Sequence, residues 1–184
     1  LYLGINTGRM QEIEAKILEI DRAQTEQRLA EAGAVLSFDG ELSARFYDLP
    51  DGSITRAGGV LRLRREGPQT VLTHKSLVSL GAAKIMEEIE TAVADAEQTD
   101  RLLRALGYQV IKSTRKRRTQ YELGDAHIAL DAYGDELAYI PLFLEIEAPS
   151  LERLHEAAVQ LGYSPADCRD WSTYDLIRHY GSSE

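Results

Sequence analysis

A single cysteine, Cys168, stands among the 184 residues, so no internal disulfide can form. With no second thiol at ligand spacing, a zinc site is not expected and the compartment reads as reducing. No run approaches the ~18 consecutive apolar residues of a membrane-spanning helix. Positive charge is in the minority: 21 Lys and Arg against 30 Asp and Glu leave a net charge of -9. That balance argues against nucleic acid and anionic membrane as partners, although it leaves room for a local basic pocket. A glycine-rich loop of Walker or Rossmann type is also missing, so any phosphate must be held by side chains rather than by a helix terminus. Leu1 to Arg9 lacks the basic start and apolar stretch of a signal peptide. The expectation is a cytoplasmic protein with one domain over 10–181, residues 1–9 being an artificial or flexible extension.

What is present is an acidic repeat. Glutamate pairs bracket an isoleucine at Glu12-Ile13-Glu14, Glu88-Ile89-Glu90 and Glu145-Ile146-Glu147, each inside a strand-like run. In an extended strand, both carboxylates of a pair share one face and the isoleucine takes the other.

A helix signal follows each pair. Asp21 with Gln24 and Asp95 with Gln98 read as capping boxes, with stops at Gly33 and Gly107, and Ser150 caps a helix that Gly162 ends. Leu102, Leu103 and Leu106 read as a packing stripe, as do Leu154, Ala158 and Leu161. Between them lie strand-like runs at Leu36–Phe38, Ala44–Leu49, Val60–Arg65, Thr70–Leu77, Lys84–Val93, Gln109–Leu123, Ala126–Tyr133 and Tyr139–Ala148. Turns at Pro50-Asp51-Gly52, Gly58-Gly59, Gly67-Pro68, Gly81, Gly124-Asp125 and Gly134-Asp135 separate them. This spacing predicts an antiparallel meander or barrel of the α+β class. Pro141 cannot donate to a ladder, so the last strand is expected to begin with an edge or bulge.

Basic residues alternate in the same way. In Val60-Leu61-Arg62-Leu63-Arg64 the leucines take one face and the arginines the other. Lys116 and Arg118 form a second same-face pair, Lys16 continues the face of Glu12 and Glu14, and Lys75 shares parity with Val71 and Thr73. The plain alternative is a solvated face whose cross-strand ion pairs contribute at most ~1 kcal/mol each. Three amphipathic helices already serve the apolar face, so the charges are read as facing inward, into a wet channel or onto a charged substrate. Arginine and lysine would bind phosphate oxygens, and glutamates beside them become compatible if a divalent ion lies between. Mg²⁺ or Mn²⁺ suits that role. The four histidines show no ligand spacing and read as structural. Trp171 reads as an anchor for the last helix.

Glu12-Ile-Glu14-Ala-Lys16 resembles the ExExK signature of the CYTH superfamily of triphosphate tunnel metalloenzymes. This group includes class IV adenylyl cyclases, thiamine triphosphatases and inorganic tripolyphosphatases. Arg62 and Arg64 resemble its RxR strand, Lys75 the lysine of the next strand, and Glu88 with Glu90 its central acidic pair. Lys116-Arg-Arg118-Thr-Gln-Tyr121 fits KxRxxY, Asp131 resembles the following aspartate, and Phe143-Leu-Glu145-Ile-Glu147 fits FxExE. Ser172 to Asp175 resembles the closing helix.

The resemblance implies an eight-stranded antiparallel β-barrel with flanking helices, a triphosphate tunnel. Glu12, Glu14, Glu145 and Glu147 would hold the metal, while Arg62, Arg64, Lys75, Lys116 and Arg118 would grip phosphate. Lys16 and Lys75 are the candidates for a direct part in the chemistry, Lys16 by orienting the first acidic pair or moving a proton. Glu88, Glu90, Asp131 and Tyr121 would support them, Tyr121 either ordering its strand or packing. The substrate would be a small-molecule triphosphate such as tripolyphosphate, thiamine triphosphate or ATP, and the protein a monomer or homodimer. A phosphohydrolase is the first reading, a class IV adenylyl cyclase the second, and a binder without turnover the third.

Overall fold

The computed structural model describes residues 13–80 and 84–181; Glu12 and the expected extension at 1–9 lie outside the described residues. The strands are β1 Ile13–Ile17, β2 Val35–Asp48, β3 Val60–Glu66, β4 Gln69–Leu80, β5 Lys84–Ala92, β6 Gln109–Leu123, β7 Ala126–Tyr133 and β8 Phe143–Ala148. The helices are α1 Arg22–Glu31, α2 Ser53–Arg56, α3 Ala96–Ala105, α4 Leu151–Gln160 and α5 Thr173–Tyr180. All eight strands join one sheet in the order β1-β8-β7-β6-β2-β3-β4-β5, and every pairing is antiparallel. The sheet curls into a half-barrel.

Local sequence explains the helix ends. The Asp21 carboxylate accepts from the Gln24 amide and Asp95 from those of Glu97 and Gln98, while the Ser150 hydroxyl accepts from Arg153 N. Each satisfies amides that have no intrahelical partner. Gly33, Gly107 and Gly162 follow their helices at φ of 75°, 96° and 74°, a left-handed conformation that glycine adopts without steric cost. α5 opens with a full capping box between Ser172 and Asp175. α2 was not anticipated; it hangs from the buried Asp48, whose carboxylate accepts from Ile54 N, Thr55 N and the Thr55 hydroxyl.

The apolar core lies on the convex face. Ala15 and Ile17 of β1, Leu144 and Ile146 of β8, and Ile128 and Leu130 of β7 pack against Leu29 of α1 and Leu154, Ala157 and Ala158 of α4. A smaller cluster sets Leu61 and Leu63 of β3 and Tyr47 of β2 against Leu103 of α3.

Three expectations need correction. Val35–Asp48 is one strand rather than the two runs Leu36–Phe38 and Ala44–Leu49, because Asp39-Gly40-Glu41 between them stays in the ladder opposite Arg117 to Thr119. β8 starts at Phe143, not Tyr139; Pro141 breaks the ladder and a 3-10 turn occupies Asp135–Leu137. The α3 stripe buries only part of itself: Leu103 is in the core, but Leu102 is 60% and Leu106 63% exposed.

Candidate active site

Directly paired residues in a sheet point to the same side, so the register alone assembles the charged face. Glu14 pairs with Glu147 and Lys16 with Glu145; Glu145 faces Ala129 and Phe143 faces Asp131. Asp131 pairs with Arg118, and Tyr133 with Lys116. Across β2, Phe46 links Lys112 to Arg62 and Ala44 links Thr114 to Arg64. Arg62 then pairs with Thr73, Thr73 with Glu90, and Lys75 with Glu88. One side of the sheet therefore carries Glu14, Lys16, Arg62, Arg64, Lys75, Glu88, Glu90, Lys116, Arg118, Asp131, Glu145 and Glu147.

That side is the concave one. β8 and β3 are four steps apart in the sheet order, which in a flat sheet would be about 19 Å at the usual strand spacing. Yet Glu145, along with Glu88 and Glu90, acts electrostatically on Arg62. Curling toward the charges brings them within reach.

The β1–β8–β7–β6 half is internally compensated. Lys16 Nζ bridges Glu14 Oε1 at 3.0 Å and Glu145 Oε2 at 3.1 Å. Arg118 donates to Asp131 from Nε at 2.8 Å and from Nη2 at 2.5 Å, and to Glu145 Oε1 from Nη2 at 2.7 Å. Lys116 donates to the fully buried Asp131 at 2.5 Å. Burial alone would raise the Glu145 carboxyl, but Lys16, Lys116 and Arg118 outweigh it and hold it well below the usual glutamate range. Burial likewise opposes the Lys16 ammonium, and Glu145 and Glu14 overcome that to hold it above the ordinary lysine value. Lys16 is therefore a charged bridge between carboxylates.

The β3 side differs. Arg62 Nε and Arg64 Nε are buried without a hydrogen-bond partner. Burial and the neighbouring Arg64 charge both pull the Arg62 guanidinium below its ordinary value. Two guanidiniums side by side, each with its Nε buried and unpartnered, form a site that suits an anion, with Arg64 Nη2 making only a long contact of 3.8 Å to Glu66 Oε2. Lys75 Nζ reaches Glu88 Oε2 at 2.8 Å, and Glu90 accepts from the Thr73 hydroxyl.

Among the described residues, no three His, Cys, Asp or Glu side chains converge as a metal-holding group. The donor type nevertheless fits: Glu14, Glu145 and Glu147 present hard carboxylate oxygens to one face, as Mg²⁺ or Mn²⁺ prefers. The Lys16 ammonium stands between two of them, where positive charge is evidently tolerated.

Tyr121 is placed elsewhere. It lies an odd number of residues from Lys116 and Arg118, so alternation sends it to the convex side, opposite Ile128 and against the larger core. It packs and does not line the site. Sequence reasoning missed Lys112, which continues the parity of Lys116 and Arg118 and stands over the rings of Phe46 and Tyr174. It also missed that α5 closes one end of the concave face: Leu176 packs on Phe143 and Ile140, and the Tyr133 and Thr173 hydroxyls lie 3.1 Å apart.

The fold has counterparts among known proteins. The model of the CYTH domain family matches residues 10–168. A protein of Methanocaldococcus jannaschii provisionally named an adenylate cyclase is 25% identical over 138 residues, 75% of this chain and 77% of that one. A solved Vibrio parahaemolyticus structure with the same provisional name superposes with a TM-score of 0.77 at 24% identity, covering 93% of this chain and 99% of the other. A Hippeastrum protein, provisionally named an adenylyl cyclase and described as showing dominant triphosphatase activity, superposes with a TM-score of 0.64 at 18% identity, covering 91% and 95%.

Proposed function

We propose, from the premise that this chain belongs to the CYTH domain family, that it is a divalent-metal-dependent triphosphatase. It would bind a small-molecule triphosphate on the concave face and hydrolyse a phosphoanhydride bond. The observation that carries this reading is the pair of buried, unpartnered Nε groups on Arg62 and Arg64, set on the same face as the carboxylates of Glu14, Glu145 and Glu147. An anionic chain would satisfy the arginines, and a cation the glutamates.

In this reading, Arg62 and Arg64 hold phosphoryl oxygens, and Lys75 assists from β4. Lys116 and Arg118 are aimed by Asp131, which fixes their side chains before substrate arrives and so removes an ordering cost from binding. Glu14, Glu145 and Glu147, with Glu12, would hold Mg²⁺ or Mn²⁺. When bound, the metal supplies neutralisation of the charge that develops on the transferring phosphoryl group. Lys16 keeps Glu14 and Glu145 together. The chemistry then asks chiefly for positioning and fixed positive charge, which this face supplies.

The cyclase reading is favoured by the name of the Methanocaldococcus relative. It requires in addition that adenine and ribose be held so that the 3′-hydroxyl reaches the α-phosphorus. The Hippeastrum protein shows that such a name in this family is compatible with dominant hydrolysis.

One assay separates the readings. Tripolyphosphate, thiamine triphosphate and ATP are each incubated with the protein and Mg²⁺ or Mn²⁺, and orthophosphate, pyrophosphate and cyclic AMP are resolved. Orthophosphate release is expected. Cyclic AMP with stoichiometric pyrophosphate would replace the hydrolase by the cyclase, and binding without any product would make the protein a capture module.

A further inference from the structure

Three lysines of the concave face have carboxylate partners: Lys16 has Glu14 and Glu145, Lys75 has Glu88, and Lys116 has Asp131. Lys112 is different. Among the described residues no carboxylate lies within ion-pair distance of it. Its ammonium stands 4.9 Å from the ring centroid of Tyr174 on α5 and 5.9 Å from that of Phe46 on β2.

The register places it closely. Lys112 pairs with Phe46, and Phe46 pairs with Arg62, so Lys112 and Arg62 flank Phe46 in one row across three strands. Two strand spacings make about 10 Å, a gap that a chain of phosphoryl groups can bridge. Lys112 thus extends the positive row of Arg62 and Arg64, whose Nε groups lack hydrogen-bond partners, toward the end that α5 closes.

We propose that Lys112 is a further substrate contact, donating to phosphoryl oxygens at the α5 end of the concave face, and that the Phe46 and Tyr174 rings hold its ammonium in place until the anion arrives. The inference rests on the triphosphate reading above. Ring faces attract a cation without neutralising it, whereas a phosphoryl oxygen offers a charge-assisted hydrogen bond, so moving from the rings to the anion is favourable. Burial lowers the Lys112 ammonium and no carboxylate counters that, as expected of a cation whose counter-charge comes from a ligand. The competing role is purely mechanical, with Lys112 pinning α5 through Tyr174.

The test is calorimetric titration of tripolyphosphate, metal-free and then with Mg²⁺, into the wild type, Lys112→Met and Lys112→Arg. Fluorescence of Trp171, the one tryptophan of the chain, reports whether α5 remains seated, because it packs in the cluster of Leu176 and Phe143. Lys112→Met should bind about tenfold or more weakly, Lys112→Arg should keep most of the affinity, and emission from both unliganded variants should match the wild type. Wild-type affinity in Lys112→Met overturns the contact while leaving the triphosphate reading intact. Shifted Trp171 emission with equal loss in both variants makes Lys112 a pin and also overturns it. Absence of binding by the wild type sinks the triphosphate reading and this inference together.

Discussion

Replacing Asp131 by asparagine isolates the group that organises the basic half of the site. Its fully buried carboxylate takes Lys116 Nζ at 2.5 Å, Arg118 Nε at 2.8 Å and Arg118 Nη2 at 2.5 Å. Asn keeps the shape but removes the charge and turns an amide donor toward two cations. Breaking a buried ion pair from one side costs about 3–5 kcal/mol. Arg118 still has Glu145 at 2.7 Å, so the lower end, about 3 kcal/mol, is expected. With a urea dependence of about 2 kcal/mol per molar for a domain of this size, the unfolding midpoint should fall by about 1.5 M. Equilibrium urea denaturation followed by far-UV circular dichroism in metal-free buffer measures this. Glu145→Gln in the Asp131→Asn background should cost more than the sum of the single changes, because together they strip Arg118 of both anionic partners. A midpoint within ~0.3 M of wild type, or strict additivity, would refute the claim that these carboxylates jointly hold the cations.

Arg62→Met should weaken triphosphate binding at least about tenfold yet leave the unliganded thermal midpoint unchanged or higher, since it removes a desolvated charge beside Arg64; a lowered midpoint would contradict this. Leu63→Ala, on the opposite face of the same strand, should cost about 2–5 kcal/mol in urea unfolding with the tripolyphosphate affinity of the folded protein retained. Glu145 is more acidic folded than unfolded, so its stabilisation is full above the ordinary glutamate value of ~4.3 and is lost only as pH falls through its depressed folded value. Stability of wild type and Glu145→Gln should accordingly differ most above pH ~4.3 and converge in stronger acid; parallel curves would disprove the assignment. Chelation should stop turnover while leaving the circular dichroism spectrum intact, because Lys16 already bridges Glu14 and Glu145; unfolding on chelation would refute that.

The sequence made much of this visible because alternation in a strand is rigid: once Glu145 faces inward, so must Glu147 and Phe143. Cap residues at Asp21, Asp95 and Ser150 located three helices for similarly local reasons. The same alternation should have excluded Tyr121, whose spacing from Arg118 is odd, and should have included Lys112, whose spacing from Lys116 is even. The strand between Phe38 and Ala44 was hidden because Asp39-Gly40-Glu41 lacks apolar alternation, whereas the Phe38 ring lies over Gly40, 2.8 Å from where a β-carbon would sit. The seat of α5 was illegible: its contacts with Phe143 and Tyr133 join segments distant in sequence, and no local pattern encodes that docking. The α3 leucines show the converse limit, since periodicity names a face without saying how far the neighbouring sheet reaches beneath it.

The unequal backing of the sheet has a consequence for motion. One half is clamped by α1 and α4 over a dense apolar layer, whereas along β5 the convex-side Ile89 is 64% exposed. Arg62, Arg64 and Lys75 ride on the thinly backed half, while Lys116, Arg118 and Glu145 stand on the clamped one. An anion gripped by both would tie the loose flank to the firm one. Slowed amide exchange on loading should then concentrate in β3 and β4, leaving β7 and β8 as protected as they were empty.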